Sequence, residues 1–392
     1  MTEQTGSLPL DGLLVADFSR VLAGPLATMT LADLGATVIK VERPGTGDDT
    51  RSWGPPFSAT GSTYFESVNR NKQSLCLDLG DAGDLRLARE LARRADVLVE
   101  NFKPGGMARL GLGYEELSAE NPGLIYASIS GFGSAGGAGL MGYDFVVQAL
   151  GGLMSITGEQ DGPAMKAGVA LVDVLTAKDA TLGILAALTA RHRDGRGAHL
   201  EVNLLSSLQG ALANQAQAYL GAGVVPGRMG NDHPSIAPYQ LLNCADGPLA
   251  VACGNDTQFA RLASLLGLDA LAADDRFATN SSRVAHRQEL TRHLEAALAT
   301  DTAAGWQQSF TAAGIPAGRV SGIDEGISYA EELGLHPTIE VQDASGATVG
   351  RQVRHPITWT PAFPAPTQAP PRLGEHSEQL REWLGSGTAQ DA

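Results

Sequence analysis

Asp173 closes the apolar run Gly168-Val-Ala-Leu-Val-Asp-Val-Leu just ahead of a helix-forming stretch. That is a costly place for a carboxylate unless it is partnered or put to use. It can cap the following helix or offset its dipole, it can serve chemistry, or it can do both. A second feature is the recurrence of basic residues in loops after predicted elements: Arg43, Arg70, Lys72, Lys103 and Arg109. If they converge they can hold a polyanion; scattered, they are solvated surface charges. A third is Gly131-Phe-Gly-Ser-Ala-Gly136, which matches GxGxxG after a predicted strand. The glycines that follow, Gly137 to Gly142, break a helix instead of opening one, and no strand ending in an acidic residue lies about 20 positions on. A glycine-rich loop describes the segment better than a dinucleotide fingerprint does. Glu42 imitates a ribose-binding acid at the end of a strand, but the preceding turn, Ser19 to Pro25, offers only Gly24.

These residues need a scaffold, and the hydrophobic pattern supplies one. Leu13 to Phe18 reads as a buried strand, Leu26 to Leu34 as a helix and Ala36 to Val41 as a second strand, a βαβ unit. Strand-like Ser74 to Leu79, Val97 to Glu100 and Leu124 to Ser130 alternate with helical Ala82 to Arg94 and Tyr114 to Glu120, which implies a parallel sheet. Helices are expected over Thr181 to Arg193 and over roughly Leu204 to Leu220. The character then changes: a Gly/Pro-punctuated loop, a strand pair around Tyr239 to Cys253 turning at Asp246-Gly247, and acidic amphipathic helices, as in a smaller second domain. Prolines between Pro361 and Pro371 predict an extended segment before a last helix near Glu378 to Leu384.

Composition narrows the partners. A chain of 392 residues has room for two domains or for one interrupted by an insertion. A net charge of -15 argues against nucleic acid, so any anionic ligand needs a local basic pocket. The polar, acidic first residues and the lack of a long apolar run lead us to expect a cytoplasmic protein with no membrane attachment. Cys76, Cys244 and Cys253 fall in no CxxC or Cys/His spacing, so neither a disulfide framework nor a metal site is expected.

Nine segments agree, in order, with one family: residues 15–25 (VADFSRVLAGP), 34–45 (LGATVIKVERPG), 69–75 (NRNKQSL), 95–105 (ADVLVENFKPG), 142–152 (GYDFVVQALGG), 157–163 (TGEQDGP), the Asp173 segment, 312–320 (AAGIPAGRV) and 370–376 (PPRLGEH). From about Leu10 to Gly385 the chain resembles the family III CoA-transferases, which include formyl-CoA transferase, L-carnitine CoA-transferase and α-methylacyl-CoA racemase. The resemblance implies an α/β fold: a discontinuous Rossmann-like large domain with a parallel sheet, a smaller α+β domain, and an interlocked homodimer. Residues 1–200 would form the first part of the CoA-binding domain, 201–226 a linker helix, 227–325 the small domain and 326–392 the segment that returns to the large one. It implies a CoA thioester as substrate with no prosthetic group, and a small carboxylic acid as acceptor.

By the same resemblance Asp173 is the catalytic carboxylate that attacks the donor thioester. The implied CoA contacts are Val21, Leu22, Ala23, Arg43, Leu77, Asp78, Gly80, Asn101, Phe102, Lys103, Arg109, Met141, Tyr143 and Asp144. The segment Gly227 to Tyr239 is the expected lid, with Gly230, Asn231 and His233 toward the acceptor; its likeness to relatives that act on small dicarboxylic acids suggests succinyl-CoA. The racemase branch needs a histidine where this chain has Tyr143, and a tyrosine with an ordinary pKa near 10 is a poor base at neutral pH. A CoA-binding protein without turnover would have no need to keep Asp173.

Overall fold

The computed structural model of the chain describes residues 7–386. Two compact units emerge: one runs through Gly151, resumes over Ala167–Gln217 and resumes again at Gly334, and the other comprises Gly152–Lys166 and Ala218–Leu333.

The first unit is built on six strands, β1 (Leu14–Asp17), β2 (Thr37–Glu42), β3 (Lys72–Cys76), β4 (Val97–Glu100), β5 (Ile125–Ser130) and β6 (Ala198–Asn203). All pair in parallel, in the order β3-β2-β1-β4-β5-β6. Parallel strands with both faces covered read as continuous apolar runs instead of alternating ones. Accordingly Val15, Ala16, Leu98, Val99 and Ile125 are fully buried. The crossovers are α1 (Ala23–Asp33), α2 (Ala82–Arg94), α3 (Tyr114–Glu120), α4 (Asp144–Leu150) and the 24-residue α5 (Leu171–Asp194). Helix α2 starts where the Asp81 side chain accepts from the backbone N–H groups of Gly83 and Asp84, at 2.8 and 3.0 Å. It buries Ala88, Leu91 and Ala92, against which Leu380 and Leu384 from the chain's far end also pack.

Parallel order brings charge into the core. Asp17 and Lys40 are neighbours in register across β1 and β2. Lys72 donates to Asp17 (3.0 Å), to the carbonyl of Pro25 (2.8 Å) and to Asn69 (2.9 Å). Lys40 donates to the carbonyl of Ser19 at 2.8 Å and pairs with Asp48 at 2.9 Å. Asp17, Lys40, Lys72 and Asp48 are all at most 1% exposed. Burial alone would raise the Asp17 carboxyl; Lys72, Lys40 and the hydroxyls of Ser19 and Thr28 outweigh it and hold the group at about 2. Glu42 is drawn into the same network, accepting from Arg51, Ser74 and the backbone of Asp48, so it is not free for a ribose.

The stretch expected as one linker helix over 201–226 holds the end of β6 and two helices, α6 (Leu204–Ala211) and α7 (Ala213–Ala222). The chain turns between them at Leu212 and at Ala213, the first residue of α7, whose φ of +42° lies outside the right-handed helical range. The second unit carries an antiparallel sheet, β7 (Tyr239–Asn243), β8 (Pro248–Ala252) and β9 (Ala317–Arg319), over helices α8 (Asp256–Leu265), α9 (Arg287–Leu298) and α10 (Ala303–Ala312). Gly152–Lys166, which the sequence reading places in the first domain, clusters with this unit, and helix α11 (Ile323–Glu332) also belongs to it. Buried Arg283 ties the unit together, donating to the carbonyls of Ala237 and Phe277 and to Asp256 while lying over the Phe259 ring. Among the described residues no helix is long and apolar enough to cross a membrane, and no His, Cys, Asp and Glu cluster is placed to hold a metal ion.

Candidate functional site

In an open parallel sheet, ligands bind beyond the carboxyl ends of the strands where the order reverses. Here the reversal lies between β1 and β4, and the turns leaving those strands, Ser19–Ala23 and Asn101–Pro104, face each other. Asn101 locks them: its side chain accepts from Arg20 N at 2.9 Å and donates to the Arg20 carbonyl at 2.7 Å. Two cavities open from this point. One, of about 300 Å³, is lined by residues that follow β1, β2 and β3, including Arg43, Leu77, Asp78, Gly80 and Phe102. The other, of about 200 Å³, lies beyond β4, β5 and β6 and includes Val21, Lys103, Met141, Tyr143 and Asp173. Arg20 and Phe102 line both, which makes the pair one trough. Arg43 and Arg20 both pair with Asp49, so guanidinium donors already stand over the trough. Such a trough suits a long anionic ligand with an apolar or aromatic end.

The turn after β1 is strained. Val21 has φ +72°, an outlier for a β-branched residue, of the kind that costs about 1–3 kcal/mol and clusters at working sites. Buried groups from two strands and the turn after β2 hold it there: Asp17 accepts from Ser19 N, Lys40 donates to the Ser19 carbonyl, and Asp48 accepts from Val21 N. On the other side the 131–142 loop closes by contact between two glycines. A side-chain carbon on Gly142 would sit 2.3 Å from the Gly131 Cα, and one on Gly131 would sit 2.4 Å from the Gly142 Cα. Close backbone approach, not phosphate binding at a helix start, is what these glycines serve.

Asp173 was expected just before its helix; it stands in the first turn of α5, behind Ala170 as N-cap. Burial, followed by the nearby charge of Asp144, pushes its carboxyl up to about 7. A carboxyl held that far above the ordinary range by burial and a like charge is a mark of a functional site.

Of the residues the sequence singled out, Val21, Leu22, Ala23, Asn101, Phe102, Lys103, Met141 and Tyr143 meet around Asp173, while Arg43, Leu77, Asp78, Gly80 and again Phe102 form the second cavity. Arg109 does not line either; it points outward from a short turn whose next residue, Leu110, faces the cavity. Arg70 and Lys72 turn inward to Asp33 and Asp17, so the basic residues lining the trough are Arg20, Arg43 and Lys103, together with Lys40, which is fully buried and paired with Asp48. Asp144 lines neither cavity and instead accepts from backbone at the start of α5. Gly230, Asn231 and His233 lie in the second unit, where Gly230 N donates to the Gly158 carbonyl and the His233 ring leans on Tyr239 at 5.1 Å. Sequence reasoning missed Arg20 and Asp49. Arg20 lay in plain view within the 15–25 segment; Asp49 carried no signal short of the folded turn.

Comparison with known proteins identifies the family. Residues 10–377 match CoA-transferase family III. A succinate–glutarate CoA-transferase of Agrobacterium fabrum is 44% identical, the match covering 95% of this chain and 94% of that protein. A mouse succinyl-CoA:glutarate CoA-transferase is 43% identical over 95% of this chain and 85% of its own. A succinyl-CoA:mesaconate CoA-transferase of Haloarcula hispanica is 38% identical over 97% of both. Among solved structures, a CAIB/BAIF family protein from Brucella suis superposes with a TM-score of 0.86 at 43% identity, covering 97% of this chain and all of that one. A sheet in this order with its trough at the reversal, matched along nearly its whole length by transferases, places the chain in CoA-transferase family III.

Proposed function

We propose that the chain moves CoA from a small dicarboxylyl-CoA, succinyl-CoA in the first instance, to a second small dicarboxylic acid, with Asp173 carrying the intermediates. The observation that carries this reading is Asp173 itself: a half-buried carboxylate at one end of a trough otherwise lined for an anionic ligand, held at about 7 by burial and by Asp144. The choice of acids follows the names of the relatives, which act on succinyl-CoA with glutarate or mesaconate.

Ionised Asp173 attacks the thioester carbonyl, forming an aspartyl–acyl anhydride and expelling CoA thiolate. The thiolate attacks the aspartyl carbonyl of the anhydride, giving an aspartyl-CoA thioester and freeing the donor acid as its carboxylate. The acceptor carboxylate then attacks that thioester, re-forming an anhydride, and thiolate attack on the acceptor's acyl carbon releases the new acyl-CoA and regenerates Asp173. No water enters the balance, so an intermediate reached by water is lost. In this reading the Arg43 cavity takes the nucleotide end of CoA and the Lys103 side takes the pantetheine arm.

Peptide mass spectrometry after incubation with succinyl-CoA, then hydroxylamine or borohydride, tests the reading. An adduct on the Asp173 peptide, absent from Asp173→Ala, is the expected result; deuterium wash-in beside the thioester with no adduct would replace the reading by a racemase. Gly142→Ala is expected to spread the 131–142 loop and raise KM for succinyl-CoA about tenfold or more, measured by steady-state kinetics.

We read the working form as the interlocked homodimer expected of this family, acting in the cytoplasm on free substrates. The exposed apolar side chains of Leu140, Met141, Tyr143, Phe145 and Leu150 support a covered face beside the trough. Sedimentation at the mass of two chains is the expected result.

A further inference from the structure

Asp144 is not used by the mechanism above, yet it is the charged group nearest in effect to Asp173. The first amides of a helix lack partners within it, and the N-cap of α5 is Ala170, whose side chain can offer none. Asp144 supplies them from another helix. One of its oxygens accepts from Val172 N at 2.7 Å and from Asp173 N at 3.3 Å. The other accepts from the Gln148 amide nitrogen at 2.6 Å. Gln148, fully buried one turn along α4, accepts in turn from Ala167 N at 2.8 Å. One turn of α4 thus grips the chain both before and at the start of α5.

We propose that Asp144, braced by Gln148, is a positioning residue that fixes the Asp173 carboxylate in the trough and keeps it reactive; this rests on Asp173 being the nucleophile. Two physical effects follow from the geometry. The helix amides that would otherwise stabilise a carboxylate at this position are committed to Asp144, so they do not quench Asp173. The Asp144 charge also disfavours ionisation of its neighbour, which preserves basicity and with it nucleophilic strength. An uncharged cap such as Ser or Asn would serve the helix as well but would not supply the second effect.

The other ionisable groups around Asp173 do not supply it. Tyr143 precedes α4 as its N-cap, Tyr64 lies on the short helix Thr63–Glu66, and Arg20, Asp49 and Lys103 line the same cavity. Burial, Asp173 and Asp144 push the Tyr64 phenol up to about 12, so it is neutral throughout the working range.

The test uses Asp144→Asn and the double variant Asp144→Asn/Gln148→Glu. In the single variant the new amide nitrogen meets the Gln148 nitrogen, donor against donor. In the double variant the carboxylate introduced by Gln148→Glu accepts both from the amide introduced by Asp144→Asn and from Ala167 N, restoring the chain of hydrogen bonds with the charge moved one helical turn away. Expected in the single variant is a loss of about 10- to 100-fold in kcat with KM for succinyl-CoA within about twofold. The acid limb of its kcat/KM profile should move down by about one pH unit, because less charge opposes Asp173 ionisation. The double variant should recover at least about tenfold in kcat over the single one while its acid limb stays below that of the native chain. An acid limb unmoved in whichever variant folds, or a KM that rises in step with the loss of kcat, overturns the proposal. Failure of the native chain to form an Asp173 adduct overturns the nucleophile reading instead, so the two failures are told apart.

Discussion

Asp173→Asn abolishes transfer and at the same time stabilises the fold, by an amount that grows as pH rises from about 4 to about 7. The first effect follows from the nucleophile role proposed for Asp173: an amide cannot form the anhydride, and loss of a covalent catalyst costs about 10⁴-fold or more in kcat. The second follows from proton linkage. In the native chain the carboxyl is held at about 7, against 3.8 for the free group. Between those values the unfolded chain sheds its proton while the folded one keeps it, so stability is lost as pH rises through this window. Asparagine carries no such cost. The expected gain is near zero below pH 4, reaches about 2–4 kcal/mol at pH 8 and is flat above. Urea unfolding of both proteins at several pH values measures it; a gain that does not change with pH would remove the case for a buried, reactive carboxylate.

The second large effect lies beneath the site. Lys72→Met is expected to destabilise the chain by about 3–5 kcal/mol, because it leaves Asp17 buried without its direct partner. Asp17 is fully enclosed, and Lys72 is the cation that touches it. Removing both charges, in Asp17→Asn/Lys72→Met, should restore at least half of the loss, since two neutral groups cost less than one stranded ion. Denaturant titration of the two single variants and the double one closes the cycle; equal loss in Lys72→Met and the double variant would mean that packing, not charge, is at stake. Because Asp17 also accepts from Ser19 N, Lys72→Met should disturb the Ser19–Ala23 turn and lower transfer as well.

Buried charge of this kind separates what was legible in the sequence from what was not. Apolar runs alternating with helical periods were enough for a parallel α/β sheet, since a strand covered on both faces must be apolar along its length. Asp173 was visible for the complementary reason: a lone carboxylate in an apolar run needs an explanation. The family motifs, each a short local pattern, led to the transferase. Nothing local distinguished Lys72 and Arg70, which fill the core, from Lys103, which faces the trough. Lys72 meets an aspartate 55 positions away, and Arg70 one 37 positions away. Asp144 likewise passed for a ligand contact because its partners, Val172 and Asp173, are 28 and 29 residues on. Residues of one type become structural or chemical according to which strands lie side by side, and the order β3-β2-β1-β4-β5-β6 is set by packing of the whole sheet, to which no segment alone has access.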